Sequence, residues 1–223
     1  MSEQRRIAVF IDWANVCRFI NIDVVKFREF LESLGAIHVA YAYMVDFSGL
    51  QKKDDPLEAR RFPQGFQHMM RQQGFRLRFK NVKVIQQEGG KDIHKADWDV
   101  GMTIDILKTA QSGKVDEIIL FSGDSDFEPL IQEIQGPPCL IKVTVVARAK
   151  HTAGELRRCA DRFIDMDGHL HKFSRPFEGR PRREIVEEAA RVPVTTIPPE
   201  SAPAEVEVVP VAEVEPVVLP AVL

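Results

Sequence analysis

The sequence predicts an α/β fold, a three-layer sandwich in which helices flank a mainly parallel central sheet. Two short apolar runs carry this expectation, residues 7–11 (IAVFI) and 118–121 (IILF). Each is too short for a helix and apolar at every position, as strands buried on both faces are. Between and after them, apolar residues recur at helical spacing, so strands and helices alternate along the chain. The third observation is where the two runs end. Asp12 follows the first, and Asp124 and Asp126 follow the second across a small-residue turn. Open α/β sheets carry their sites at the C-terminal ends of parallel strands, so these acids mark the functional edge.

At 223 residues, 44% hydrophobic and 28% charged, the chain is long enough for one ordinary globular domain and something more. The net charge of −3 argues against a generally basic nucleic-acid binder, but its distribution is uneven. From Pro176 onward there are four Lys/Arg against nine Asp/Glu, whereas the rest has 26 against 24, so an acidic tail conceals a slightly basic body. The expected division is a folded domain over 1–172 and a tail over 173–223. Three cysteines (Cys17, Cys139, Cys159), odd in number and without metal-ligand spacing, suggest a reducing compartment. No charged-then-apolar leader opens the chain and no apolar run approaches ~18 residues, so neither a signal peptide nor a membrane span is expected. The cytoplasm is the expected location.

Taken in order, Arg5 and Arg6 precede the first strand, which ends in Asp12-Trp13-Ala14-Asn15. Asp23 is placed to cap a helix carrying Val24, Phe27, Phe30, Leu31 and Leu34, stopped by Gly35. Residues 37–45 (IHVAYAYMV), β-branched and aromatic without a breaker, predict a strand. A polar loop over 46–56 leads to a helix over 57–73 with Phe62, Phe66, Met69 and Met70 as its stripe. Pro63 leaves the start of that helix open, and Gly74 ends it. Over 75–84, Phe75, Leu77 and Phe79 alternate with Arg76, Arg78 and Lys80, the pattern of a strand near a sheet edge with one solvated, cationic face.

Residues 86–95 read as a polar, glycine-containing loop and 96–110 as a long helix. After the central strand, Glu128, Pro129 and the spacing of Leu130, Ile131 and Ile134 start another helix. The turn at 136–138 leads to a strand over 140–147, a short helix over 152–160 and a last strand over 162–166. Past a linker over 174–181, one short amphipathic helix is expected near 182–192. From Pro193 on, prolines recur among Val, Ala and Glu with no aromatic or basic residue, which predicts an extended, disordered tail.

The candidate metal ligands are Asp12 after the first strand, Asp97 and Asp99 near a helix start, and Asp124 and Asp126 after the central strand. If their strands are parallel neighbours, the loops bearing them open on one rim. Four carboxylates converging there repel one another by several kcal/mol, which Mg²⁺ or Mn²⁺ relieves. Hard oxygen ligands without His or Cys partners favour those ions over zinc. A purely structural reading stands beside this one: Asp97 as a helix N-cap, and Asp126 favouring the start of the next helix through its dipole. Asp105, six positions after Asp99, falls about 120° away round the helix and off the same face.

Four motifs occur in a telling order: Ile11-Asp12-x-x-Asn15, the run DVGMTID over 99–105, Ser122-Gly123-Asp124-Ser125-Asp126-Phe127, and ELRR-x-AD-x-FI over 155–164. Together they resemble a NYN domain, the LabA-like branch of the PIN-like nuclease superfamily, across about residues 5 to 170. The resemblance implies a PIN-like, Rossmann-like fold and a Mg²⁺- or Mn²⁺-dependent ribonuclease whose acidic cluster matches Asp12, Asp99, Asp124 and Asp126. Asn15 and Ser122 would line the same pocket. The chain departs from the family pattern in two places. Trp13 stands where a small residue is usual, and Lys95-Ala96-Asp97-Trp98-Asp99 puts acids both two and four positions after the lysine; the family pattern downstream favours Asp99 as the ligand, with Asp97 as its substitute.

RNA reaching such a rim, single strands before duplexes, needs cationic guides. Lys91 and Lys95 precede the long helix, Arg76, Arg78 and Lys80 form the alternating strand, and Arg148, Lys150 and His151 make a further group. Asn15, Lys95, Ser122 and Lys91 are the expected phosphate contacts. Trp13 and Trp98 flank candidate ligands and offer either packing or base stacking. The main expectation is a metal-dependent hydrolase of RNA phosphodiesters, with the tail as a tether or protein-recruiting arm. The competing expectation is a non-catalytic module that binds RNA or protein on the same fold. A small-molecule phosphatase fits less well, since Asp12 is followed by Trp13 and Ala14 in place of a second nucleophilic aspartate.

Overall fold

The structure, a computed structural model, describes residues 4–16, 20–46, 64–81, 83–85, 93–95 and 98–175, with side chains excepted at 16, 46, 83–85 and 93–95. Six strands form one sheet: β1 (Arg6–Asp12), β2 (Ala36–Asp46), β3 (Phe75–Asn81), β6 (Glu117–Phe121), β7 (Lys142–Ala147) and β8 (Arg162–Asp165). Their spatial order is β3-β2-β1-β6-β7-β8, and every adjacent pair is parallel. β1 and β6 sit at the centre, and their side chains from Ile7 to Ile11 and from Ile118 to Phe121 are essentially without exposed surface. That double burial is why they read as unbroken apolar runs.

Helix α2 (Val24–Glu32) starts where Asp23 accepts the Lys26 N–H at 3.3 Å. Its Phe27 is buried against Phe75 of β3, Phe121 of β6 and Phe173 of α7 (Leu170–Phe173). With α3 (Gln64–Gln72), which packs on β3, these helices cover one face of the sheet. The opposite face carries α4 (Asp99–Ala110), α5 (Glu128–Gln135) and α6 (Gly154–Cys159). The result is the three-layer sandwich expected. Among the described residues, no helix is long and apolar enough to cross a membrane.

Several elements differ from the sequence reading. The expected strand over 75–84 stops at Asn81, and β4 (Lys83–Ile85) pairs antiparallel with β5 (Ile93–Lys95) in a separate two-stranded ribbon. Three residues are too few to show a periodicity, so β5 was indistinguishable from loop. The long helix begins at Asp99, three residues later than expected, after the anchored Trp98. The helix described as α3 begins at Gln64, and residues 57–63 lie outside the described residues, as does the tail beyond Arg175. Residues 173–175, assigned from sequence to the tail, are fastened to the body. Phe173 is buried, Ser174 bridges Ile22, and Arg175 Nε donates to Asp23 Oδ2 at 3.0 Å.

Candidate metal centre

From β1 the chain moves outward through β2 to β3, then returns across the sheet to β6 and continues to β7 and β8. The order therefore reverses between β1 and β6. In open parallel sheets, the crevice beyond the C-terminal ends of such a pair is where ligands sit. Ile11 lies opposite Phe121 in the register, so the residues that leave the two strands, Asp12 and the turn from Ser122, emerge side by side.

Local hydrogen bonds lock this rim. The short helix α1 (Trp13–Val16) brings the Asn15 N–H onto Asp12 Oδ1 at 3.1 Å. Asn15 Oδ1 accepts the Gly123 N–H at 3.0 Å and so stitches the loop after β1 to the loop after β6. Ser122 Oγ accepts the Asp124 N–H at 3.2 Å, and Asp124 Oδ1 accepts the Asp126 N–H at 3.1 Å, capping the 3₁₀ turn Ser125–Phe127. Phe127, fully buried, anchors that turn. Trp98 Nε1–H donates to Met44 O at 2.9 Å, pinning the start of α4 to β2 immediately before Asp99.

The outcome is convergence. One carboxylate oxygen each from Asp99, Asp124 and Asp126 lies within 4.8 Å of the others. Asp12 stands beside this group: burial, and then the negative charges of Asp99 and Asp124, push its carboxyl from an ordinary 3.8 to about 6, against the opposing pull of the Asn15 N–H. The shift reflects first the cost of burying the charge and then its repulsion by Asp99 and Asp124, and a cation at the cluster would offset that repulsion. The donors are all oxygens, so the chemistry of the set fits Mg²⁺ or Mn²⁺ and does not resemble a zinc site.

Gly123 is required by close approach. A Cβ there would meet His151 O at 2.8 Å and Thr152 Oγ1 at 3.1 Å, while Gly123 O accepts the Ala153 N–H at 3.3 Å. The loop before α6 thus leans on the turn that carries Asp124. Gly123→Ala is expected to push these loops apart, costing roughly 1–3 kcal/mol in a urea melt and weakening divalent-ion binding through its neighbour Asp124. A variant as stable as the wild type would show that the two loops do not press on each other.

The other expected site residues fall as follows. Lys91 and Asp97 lie outside the described residues, and of Lys95 only its backbone in β5 is described. Asn15 is exposed at the rim. Ser122 has no exposed surface, so the expected phosphate contact gives way to bracing of Asp124. Trp13, 4% exposed, packs edge-on against Phe27 and Phe66, which settles its role as packing. Asp105 points away from the cluster to Tyr43 Oη at 2.9 Å and Arg78 Nε at 3.4 Å. Arg148 is engaged with Asp167 at 2.7 Å. Sequence reasoning missed the anchoring bond of Trp98 and the stitch made by Asn15. Neither leaves a signal without knowing that β2 and β6 flank β1.

The NYN domain family matches residues 6–167 of this chain. The chain belongs to the NYN family. This NYN domain is 30% identical over 181 residues to the Low amplitude and bright protein LabA of Synechococcus elongatus, covering 77% of this chain and 90% of the relative. That likeness puts it in the LabA-like branch of the PIN-like superfamily, as its motifs implied. A crystal structure of a protein of unknown function from Vibrio parahaemolyticus has a similar fold. Its TM-score is 0.55 at 32% identity, over 75% of this chain and 96% of that one.

Proposed function

We propose that this NYN domain is a ribonuclease that hydrolyses RNA phosphodiester bonds with Mg²⁺ or Mn²⁺ held by Asp12, Asp99, Asp124 and Asp126. The observation that carries the proposal is the meeting of the Asp99, Asp124 and Asp126 oxygens within 4.8 Å at the switch point of a parallel sheet. A bound divalent ion would supply charge neutralisation for the phosphate and an activated water. The chain supplies the rest. Asp124 is aimed by Ser122 and by the Asp126 N–H, and the rigid turn holds it for ligation. Asn15 has committed its carbonyl oxygen to Gly123, so its amide N–H groups are what it offers a phosphate oxygen. Lys95 and Lys91 complete the phosphate contacts in this proposal. Free Cys139 and Cys159 accord with a reducing compartment, and we place the activity in the cytoplasm.

The test is cleavage of end-labelled single-stranded RNA with Mg²⁺, Mn²⁺ or EDTA, comparing wild type with Asp124→Asn. Asparagine retains the oxygen that accepts the Asp126 N–H, so the turn should survive. Losing a metal-bound carboxylate should cost more than the roughly 10–100-fold that losing an outer-shell partner costs. Metal-dependent cleavage abolished by EDTA and by the variant supports the ribonuclease. RNA binding without cleavage in any metal would establish the non-catalytic module instead.

A further inference from the structure

The register of β3 places Arg76 opposite Tyr41, Arg78 opposite Tyr43 and Lys80 opposite Val45, all on the sheet face that carries α4. Alternate residues of a parallel strand are roughly 6.6 Å apart, so the three cations form a single file with a step comparable to that between phosphates of an extended strand. β3 is the sheet edge, and Arg76 and Arg78 are exposed on it. Because all strands run parallel, the file climbs towards the rim that holds the aspartates.

The cations are held in place by rings. Arg76 Nη1 donates to Tyr41 Oη at 3.2 Å, and its guanidinium lies 5.7 Å from the Tyr41 ring. The Arg78 guanidinium lies 5.3 Å from the same ring. Tyr41 in turn stacks on Phe10 at 5.5 Å. At the top of the file, Lys80 Nζ is 5.7 Å from the Trp98 ring, one residue before Asp99. Guanidinium groups so held cost less entropy to engage a phosphate or to stack on a base. On this face Arg78 pairs with Asp105, which also accepts the Tyr43 hydroxyl, whereas Arg76 is exposed and braced by the Tyr41 hydroxyl.

We infer that the β2–β3 face is a track for single-stranded nucleic acid that feeds one strand past Arg76, Arg78 and Lys80 to the acidic rim. The inference rests on the proposed hydrolysis for what happens at the rim, but the track is a binding surface in its own right. One file of cations along a sheet edge matches one phosphate backbone rather than the two rows of a duplex.

The experiment is fluorescence anisotropy of the full chain in EDTA, titrated into labelled single-stranded RNA and into the same sequence as a duplex, across a salt series. Arg76→Ala/Arg78→Ala should weaken single-strand binding about tenfold at low salt, and the log–log salt slope should fall by about 1.4, or 0.7 per lost phosphate contact. Arg76→Lys/Arg78→Lys should restore most of the slope while recovering less of the affinity. If the double alanine variant does not fold, Arg76→Ala alone, which leaves the Asp105 pair intact, carries the same test with half the slope change. In Mg²⁺, the variants should show raised KM with kcat retained. Unchanged single-strand affinity and slope, with wild-type cleavage intact, would overturn the track and leave the ribonuclease standing. Loss of binding in the variants, in a protein that cleaves nothing, would support the track and overturn the ribonuclease. Duplex affinity that equals single-strand affinity and falls equally in the variants would overturn the single-strand assignment.

Discussion

Arg5→Met is expected to destabilise the domain by roughly 3 kcal/mol, the lower part of the range for stripping a buried charge of its partner. Glu117, the first residue of β6, is 1% exposed although it is a carboxylate. Arg5 Nη1 lies 2.5 Å from its Oε2, and the Thr144 hydroxyl donates to its Oε1. Arg162 Nη2 is farther, at 3.9 Å from Oε1, and its Nε is tied to Thr144 Oγ1 at 3.2 Å. Losing Arg5 leaves a desolvated carboxylate with one hydroxyl and a distant cation. Losing the carboxylate instead is milder. The side chains of Arg5 and Arg162 are 45% and 44% exposed, so water rehydrates them when Glu117 becomes glutamine. The ranking is therefore Arg5→Met worse than Glu117→Gln, and the double change less harmful than the sum. Arg5 immediately precedes β1, Glu117 and Arg162 open β6 and β8, and Thr144 is the third residue of β7. The network therefore lies away from the strand ends that carry the aspartates, and the proposed RNA cleavage should not change per folded molecule. Urea melts of the three variants decide it, and a Glu117→Gln loss larger than that of Arg5→Met would refute this account of the network.

Nothing in the sequence around Glu117 betrays its burial. A glutamate before IILF reads as the solvated start of a strand, and only the three-dimensional meeting of residues 5, 117, 144 and 162 explains it. By contrast, β1 and β6 could be located without coordinates, because double-sided burial demands apolar residues at every position. The Asp23 cap and the alternation in β3 were legible for equally local reasons. What local reasoning lacks is strand order. Asp12 and Asp124 each announce a strand end, but their meeting depends on β6 returning beside β1, which the family resemblance supplied and periodicity alone could not. The start of α4 was misplaced for a related reason. Asp97 and Asp99 are equally good first-turn acids, and the choice is made by Trp98 reaching the Met44 carbonyl on a distant strand.

The cluster itself yields the second large effect, with opposite signs for stability and activity. Asp12→Asn is expected to stabilise the metal-free protein at pH 8 by roughly 3 kcal/mol, the free energy of a carboxyl displaced by about two pH units. The displacement is upward, from an ordinary 3.8 to about 6, with burial as its largest cause and the charges of Asp99 and Asp124 adding to it. The folded form therefore keeps its proton to higher pH than the unfolded chain. Between about pH 4 and pH 6 the folded state binds the extra proton, so stability falls as pH rises through that window, and above it the whole penalty is present. Asparagine carries no charge at any of these values and still offers an oxygen to the Asn15 N–H. Variant and wild type should be equally stable below about pH 4, diverge between about pH 4 and pH 6, and differ by a nearly constant amount above that. Adding Mg²⁺ or Mn²⁺ should reverse the order of gains. On the proposed ligand set the wild type is stabilised according to RT ln(1 + [L]/Kd), whereas the variant, short of a ligand, responds weakly and loses the proposed RNA cleavage. Urea melts at pH 4, 6 and 8, each with EDTA and with divalent ion, test both halves. A stability difference that does not vary with pH would show that Asp12 is not held at elevated pKa by its neighbours. An equal divalent response in the two proteins would remove Asp12 from the ligand set.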